Sequence, residues 1–187
     1  MDKNIPTLNT ERLVLVPYTI ERVTKTHVAW LNDADVVRYS EQRHKKHSLV
    51  SQREYLRRLP PSSCIWLIRV KRDIGADDIG TVSAHIDADN NSADMGILVG
   101  DKTMWGKGYA KEAWTCVMGW LREQQIHWVE CGYMEGNHAM EGLAKSVGMF
   151  PTGHRTLHFL ADDGQRRCAF FYGRLLLRPT YLWGHDE

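Results

Sequence analysis

Trp105-Gly-Lys-Gly-Tyr-Ala110 decides how this chain is read, because it lies between a stretch with strand period, Asp94 to Val99, and one with helix period, Ala110 to Leu121. Glycines at 106 and 108 let the backbone approach a bulky ligand, and the amides that open the following helix point outward with the positive end of its dipole. Such a turn suits a pyrophosphate, and Lys107 would add positive charge at its rim. An ordinary tight strand-to-helix turn would use the same glycines, so context has to choose between the two. Lys111 stands where a dinucleotide-binding fold has its third glycine, and no Gly-Lys-Ser/Thr follows as in a P-loop. Both of those nucleotide readings drop out.

Outward from the loop, Ala113, Trp114, Val117, Met118 and Leu121 repeat at helical spacing and must pack on a sheet. Upstream, Ile65 to Val70, Ile79 to Ile86 and Asp94 to Val99 are strands separated by turn-rich segments, which makes an antiparallel meander. Arg12-Leu-Val-Leu-Val-Pro17 is an earlier strand closed by proline. Between them, Ile20 to Tyr39 reads as two short helices broken at Asn32-Asp33, and Ser51 with Glu54 predicts a capping box for a third helix ending near Leu59. Downstream, His127 to Tyr133 is a strand and Met140 to Val147 a helix closed by Gly148. His154 to Leu160 and Arg167 to Leu176 flank Asp162-Asp163-Gly164 as a hairpin. The expected fold is a mixed α/β domain with one central sheet; the tail beyond Arg178 is read as a loose end.

Composition narrows the function. A chain of 187 residues with 43% hydrophobic and 25% charged residues is long enough for one buried core and short for two, so one domain over 1–187 is expected. Twenty-four Lys and Arg against 23 Asp and Glu leave a net charge of +1 without long blocks of one sign, which gives no reason to expect nucleic acid. Neither a membrane-spanning run nor a signal-peptide core is present, so a cytoplasmic protein is expected. Cys64, Cys116, Cys131 and Cys168 lack the paired spacing of a metal site and read as packed thiols; no metal is expected.

In this order and spacing the motifs resemble those of the GNAT superfamily of N-acetyltransferases. Gly108 and Ala110 match its signature, while Trp105 replaces the usual Gln or Arg, as in the subfamily of ribosomal-protein N-terminal acetyltransferases and related amino-sugar and antibiotic enzymes. Thr10-Glu-Arg-Leu-Val-Leu15, Gly80-Thr81, Asp94-Met-Gly-Ile-Leu-Val-Gly100, Asn137-His-Ala-Met-Glu and Ser146-Val-Gly-Met149 extend the likeness over residues 8–176. It implies a GNAT-like acyl-CoA N-acyltransferase fold: a mostly antiparallel sheet flanked by helices, with a splay between the fourth and fifth of the strands read above. The implied co-substrate is acetyl-CoA, and the implied partner is a small-molecule or peptide amine. The protein is expected to be a monomer or homodimer.

By the same resemblance, the backbone of Ile97, Leu98 and Val99 pairs with the pantetheine arm, and an amide near Leu98 donates to the thioester carbonyl. Trp105, Gly106, Lys107, Gly108, Tyr109 and Ala110 hold the pyrophosphate. Asn137 resembles the family's pantetheine-binding Asn, although helix capping would also explain it. An amine of ordinary basicity must lose a proton before it attacks; Glu41 and Glu130 are the leading candidate bases, with His85 and Glu135 behind them and a water chain as the alternative. The usual acids for the departing thiolate are missing, since Ala144 and Met140 occupy their positions. Tyr133, Ser146 or solvent would have to serve, and a catalytically impaired acetyl-CoA sensor is the rival reading. The basic stretch Arg43 to His47 is a candidate anion site.

Overall fold

The computed structural model describes residues 5–177, so the tail read as a loose end lies outside the described residues. Strands β1 (Leu8–Asn9) and β2 (Leu13–Pro17) come first, and a 3-10 turn at Ile20–Arg22 leads into helices α1 (Lys25–Asn32) and α2 (Ala34–Val37). Asp33 closes α1 and caps α2 by accepting from the amides of Asp35 and Val36, which is why the chain breaks at the expected Asn32-Asp33. The polar connection turns as a 3-10 helix at Glu41–His44 before α3 (Leu49–Arg58). The capping box of α3 is formed by Ser48 and Ser51, not by Ser51 and Glu54. Glu54 instead pairs with Arg57 and Arg58 on the exposed side of the helix.

The meander is formed as expected by β3 (Ser63–Lys71), β4 (Ala76–Asp87) and β5 (Ser92–Val99). Then follow α4 (Tyr109–Glu123), β6 (Trp128–Met134), α5 (His138–Ser146), and the hairpin β7 (Phe150–Leu160) and β8 (Arg166–Leu175). One eight-stranded sheet runs in the order β1-β2-β3-β4-β5-β6-β8-β7. Every neighbouring pair is antiparallel except β5 and β6, whose crossover is α4. The expected mixed sheet flanked by helices is therefore present, with the two-residue β1 as an addition.

Strand alternation divides the core between the two faces. Trp66, Ile68, Val82, Met95 and Val129 pack with Trp114, Val117 and Leu121 of α4 on one face. On the other, Val16, Tyr18, Ile65 and Leu67 pack with Val23 and with Leu56 of α3. Cys64 and Cys131 are buried thiols, whereas Cys116 and Cys168 are half-buried.

Pairing between β5 and β6 stops early. Its rungs are Ser92 with Trp128, Ala93 with Val129 and Asp94 with Glu130, after which the strands part. Each remains held on its outer side, β5 by β4 as far as Gly80 with Val99 and β6 by β8 as far as Met134 with Ala169. The splay expected from the resemblance is thus built by two strands anchored to different neighbours. Gly80 sets the β4–β5 spacing: a Cβ there would lie 2.1 Å from the Leu98 carbonyl oxygen and 2.9 Å from Val99 Cα.

Both contacts are backbone, so Gly80→Ala must displace a strand. Denaturant unfolding should show a loss of roughly 1–3 kcal/mol. At Gly119, an exposed helical position where an added Cβ meets nothing within 4 Å, alanine should stabilise by about 0.5–1 kcal/mol.

Candidate active site

The direction of the β5 amides follows from its register. Gly100 donates to the Ile79 carbonyl at 2.8 Å, and alternate residues of a strand point the same way. Leu98, opposite Thr81, therefore turns its amide and carbonyl toward β4, as the nearness of its oxygen to Gly80 also requires. Ile97 and Val99 turn theirs into the splay. This corrects the expectation for Leu98: its amide belongs to the sheet ladder, and the donors available in the cleft are those of Ile97 and Val99. The Leu98 side chain still lines the cavity, and that of Ile97 packs against the core beneath α4.

Beyond β5 the loop is tied down at several points. Trp105 donates from its indole nitrogen to the Val99 carbonyl at 2.8 Å, so this tryptophan fixes the loop to the strand end. Gly106 and Gly108 adopt φ values of 73° and 81°, a region that favours glycine. Gly108 is the N-cap of α4 and supplies no side-chain cap, which leaves the first helical amides, from Tyr109 and Ala110 onward, open to an anion. Arg12 braces the loop from β2: it donates to the Lys107 carbonyl at 3.1 Å, pairs with Glu112 at 2.7 Å and lies 4.6 Å over the Tyr109 ring. Thr10 donates to the same Glu112 at 2.5 Å. Lys107 itself is exposed, near the Met104 sulfur.

A cavity of about 980 Å³ joins these parts. Gly106, Gly108, Tyr109 and Ala110 line it at the loop, Ile97, Leu98 and Val99 along β5, and Asn137, Met140 and Ser146 from α5. Asn137 caps α5 by accepting from the Met140 amide at 3.1 Å, and its amide NH2 remains for the cavity. Capping and ligand contact are therefore compatible in one side chain.

The titratable candidates separate. Glu41 turns to Arg43 at 2.8 Å and toward His44 at 3.7 Å; its neighbours Ser40 and Gln42 line the cavity and it does not. Arg43, with a side chain only 3% exposed, also donates to the Leu160 carbonyl and so ties the connection to β7, while His44, Lys45 and Lys46 remain exposed. Glu135 accepts from the Cys168 amide at 3.0 Å. Glu130 lies at the crotch of the splay beside Asp94, which in turn faces His85 across β4. Asp94 is itself solvent-exposed, but the protein packed around it, and then the charge of Glu130, push its carboxyl above its usual range. Sequence reasoning misses Asp94 because its partner comes from a parallel strand 36 positions away.

Of the acids considered for the thiolate, Tyr133 is buried and its hydroxyl is raised by burial and by Tyr172. Ala144 lies fully in the core, whereas Ser146 lines the cavity while donating to the Leu143 carbonyl. Among the described residues no cluster of three or more His, Cys, Asp or Glu is arranged to hold a metal, and no helix is long and apolar enough to cross a membrane.

The sequence profile of the acetyltransferase (GNAT) domain matches residues 12–150. The chain belongs to the GNAT acetyltransferase family. Its motifs thus sit in the context their spacing implied. Among solved structures, RimL, a ribosomal L7/L12 alpha-N-protein acetyltransferase in complex with coenzyme A, is 17% identical with a TM-score of 0.78, over 91% of this chain and 97% of that one. Ribosomal-protein-S5-alanine acetyltransferase from Vibrio fischeri gives 16% and 0.76, over 91% and 96%. The microcin C7 self-immunity acetyltransferase MccE, in complex with acetyl-CoA and AMP, gives 14% and 0.75, over 89% and 93%. At such identities these likenesses establish the GNAT fold. No curated protein sequence matches the chain.

The cavity roof rests on a buried polar contact. His27, 3% exposed, lies 3.0 Å from Asp78 through Nε2, while Nδ1 accepts from the Thr24 amide. An acceptor Nδ1 carries no proton, so His27 is a neutral donor to Asp78. Burial raises the Asp78 carboxyl, but hydrogen bonds from His27 and Arg69 outweigh it and hold the group below its usual range. The resulting stability is fully present above the unfolded carboxylate pKa of about 3.9 and is lost as pH falls through the lower folded value. Asp78→Asn should cost about 2 kcal/mol at neutral pH. Chemical unfolding measured between neutral pH and pH 3 should also lose part of its acid dependence.

Proposed function

We propose that this protein is an acetyl-CoA-dependent N-acetyltransferase acting on a primary amine of a small molecule or of a protein N-terminus by direct attack in a ternary complex. The observation that carries the reading is the open inner edge of β5 leading into the uncapped N-terminus of α4: free strand amides and free helix amides follow one another along one cavity. An extended arm ending in a pyrophosphate fits that succession, because each part of it meets unpaired backbone donors. Acetyl-CoA supplies an activated acetyl thioester when bound.

The chain's own residues then do three things. Ile97 and Val99 present amides at the splay, of which Ile97, nearer the crotch, is the donor for charge developing on a thioester oxygen; such a donor contributes about 3 kcal/mol. Trp105 and Arg12 keep the loop in register with β5. Asp94 and Glu130 receive the amine's proton through water, since Asp94 lies one step along the same strand face from Gly96, which lines the cavity. Glu41, held by Arg43, takes no part in this scheme.

Titration calorimetry should show acetyl-CoA binding, and thiol release should depend on an added amine; a protein that does not bind acetyl-CoA would refute the proposal. Arg12→Ala should raise the KM for acetyl-CoA about three- to tenfold with little change in kcat, as expected for the loss of one charged brace. For Asp94 the sign is that of a base: kcat/KM rises with pH as the carboxyl ionises, above the normal carboxylate range because its pKa is raised. In the Asp94→Asn variant that limb of the pH–rate profile should disappear and kcat fall about 10²-fold.

A further inference from the structure

On the sheet face opposite α4, Thr81 and Ser83 stand beside Leu98 and Gly96 as cross-strand partners. Tyr18, Gln52 and Tyr55 line the same cavity from the strand end of β2 and from α3. None of these five side chains is charged at neutral pH. Tyr18 is 8% exposed, and its hydroxyl has no hydrogen-bond partner. Gln52, 7% exposed, lies close to that hydroxyl but outside hydrogen-bonding geometry. A buried hydroxyl left unpaired costs about 1–3 kcal/mol. Packing alone would favour phenylalanine here, so the retained hydroxyl points to a ligand that meets it.

The charged residues of the cavity define the ligand further. Asp35 is taken by Lys102 at 3.0 Å, and His27 is held neutral between Asp78 and the Thr24 amide. Lys111 lies in the first turn of α4, at the end proposed for the pyrophosphate, and Arg38 lines the cavity with no salt bridge among the described residues. The unbalanced lining charge is therefore positive, and no unpaired carboxylate stands in the lining to receive a second ammonium group. Gly96 keeps the floor low between Ser83 and Leu98, where a Cβ would approach the Ser83 hydroxyl to 3.0 Å.

Building on the acetyl-transfer reading, we infer that the acceptor is a monoamine whose body offers neutral hydroxyl or amide groups to Tyr18, Gln52, Tyr55, Thr81 and Ser83, and that polycationic amines are excluded. Such a body pairs the orphaned hydroxyl, while each additional ammonium must enter a positively biased, partly closed space without a counter-ion.

Thiol release should be compared for glucosamine, which carries hydroxyls, and a seryl-alanyl-alanine amide, which carries peptide groups, against spermidine and tobramycin. At least one neutral-bodied amine should exceed both polycations in kcat/KM by tenfold or more, and the better of the two distinguishes a sugar-like from a peptide-like acceptor. Tyr18→Phe should raise the KM for that amine about three- to tenfold and leave the KM for acetyl-CoA unchanged. The same variant should melt at or above the parent temperature, since it removes an unpaired polar group; a purely structural tyrosine would not combine those results. Preference for spermidine or tobramycin, an unaltered acceptor KM in Tyr18→Phe, or no turnover of either neutral-bodied amine by protein that binds acetyl-CoA overturns the inference. Failure to bind acetyl-CoA overturns the acetyl-transfer reading and this inference together.

Discussion

The constraint on which the rest depends is the end of the β5–β6 ladder at Asp94 and Glu130. A parallel pair normally continues as long as both strands do, because every unpaired amide forgoes a hydrogen bond. Here neither strand can follow the other, since β5 is held by β4 along its length and β6 by β8. The donors left in the gap are accessible from the cavity, so their exposure costs far less than burial without a partner would. Opening the sheet at its middle thus creates a backbone surface suited to an extended ligand without requiring any particular side chain.

That dependence explains why the loop after β5 is braced so heavily. A cradle made of glycine backbone is adaptable but loses entropy on becoming ordered. The indole of Trp105 on the Val99 carbonyl and the guanidinium of Arg12 on the Lys107 carbonyl hold it from two directions before any ligand arrives. Glu112 would favour the helix N-terminus by its charge but would also compete with a bound anion. Its pairing with Arg12 and Thr10 offsets that charge and turns it into part of the brace.

Much of the architecture was legible because it is written in local periods. The meander, the hairpin at Asp162-Asp163-Gly164 and the helix after the glycine loop all appear where alternation or helical spacing placed them. The two-residue β1 was not legible, since two positions carry no period. At the start of α3, Ser48 and Ser51 bring the same chemistry to a cap, and local sequence alone did not show which of them stood outside the helix. The direction of an amide was less accessible still. Whether Leu98 or its neighbours face the splay depends on the β4 register, and one residue of slip would exchange them.

The same limit applies to the acceptor end, and it shows what kind of information this fold keeps in each place. The proposed co-substrate cradle consists of consecutive residues of one loop and one strand, so a short motif reveals it. The proposed acceptor wall combines Tyr18 after a proline-ended strand, Gln52 and Tyr55 on α3, and Thr81 and Ser83 on β4, each unremarkable in its own segment. Only the folded chain sets them around one unpaired hydroxyl. His27 and Asp78 then matter as the support beneath that wall: the imidazole stacks edge-on against Tyr18 at 5.3 Å and beside Trp30 at 5.2 Å, while Nε2 ties α1 to β4 through Asp78 and Nδ1 closes the cap of α1. His27 thus spends both ring nitrogens on positioning, one on Asp78 and one on the cap of its own helix, so the imidazole braces the wall and does not open toward a ligand.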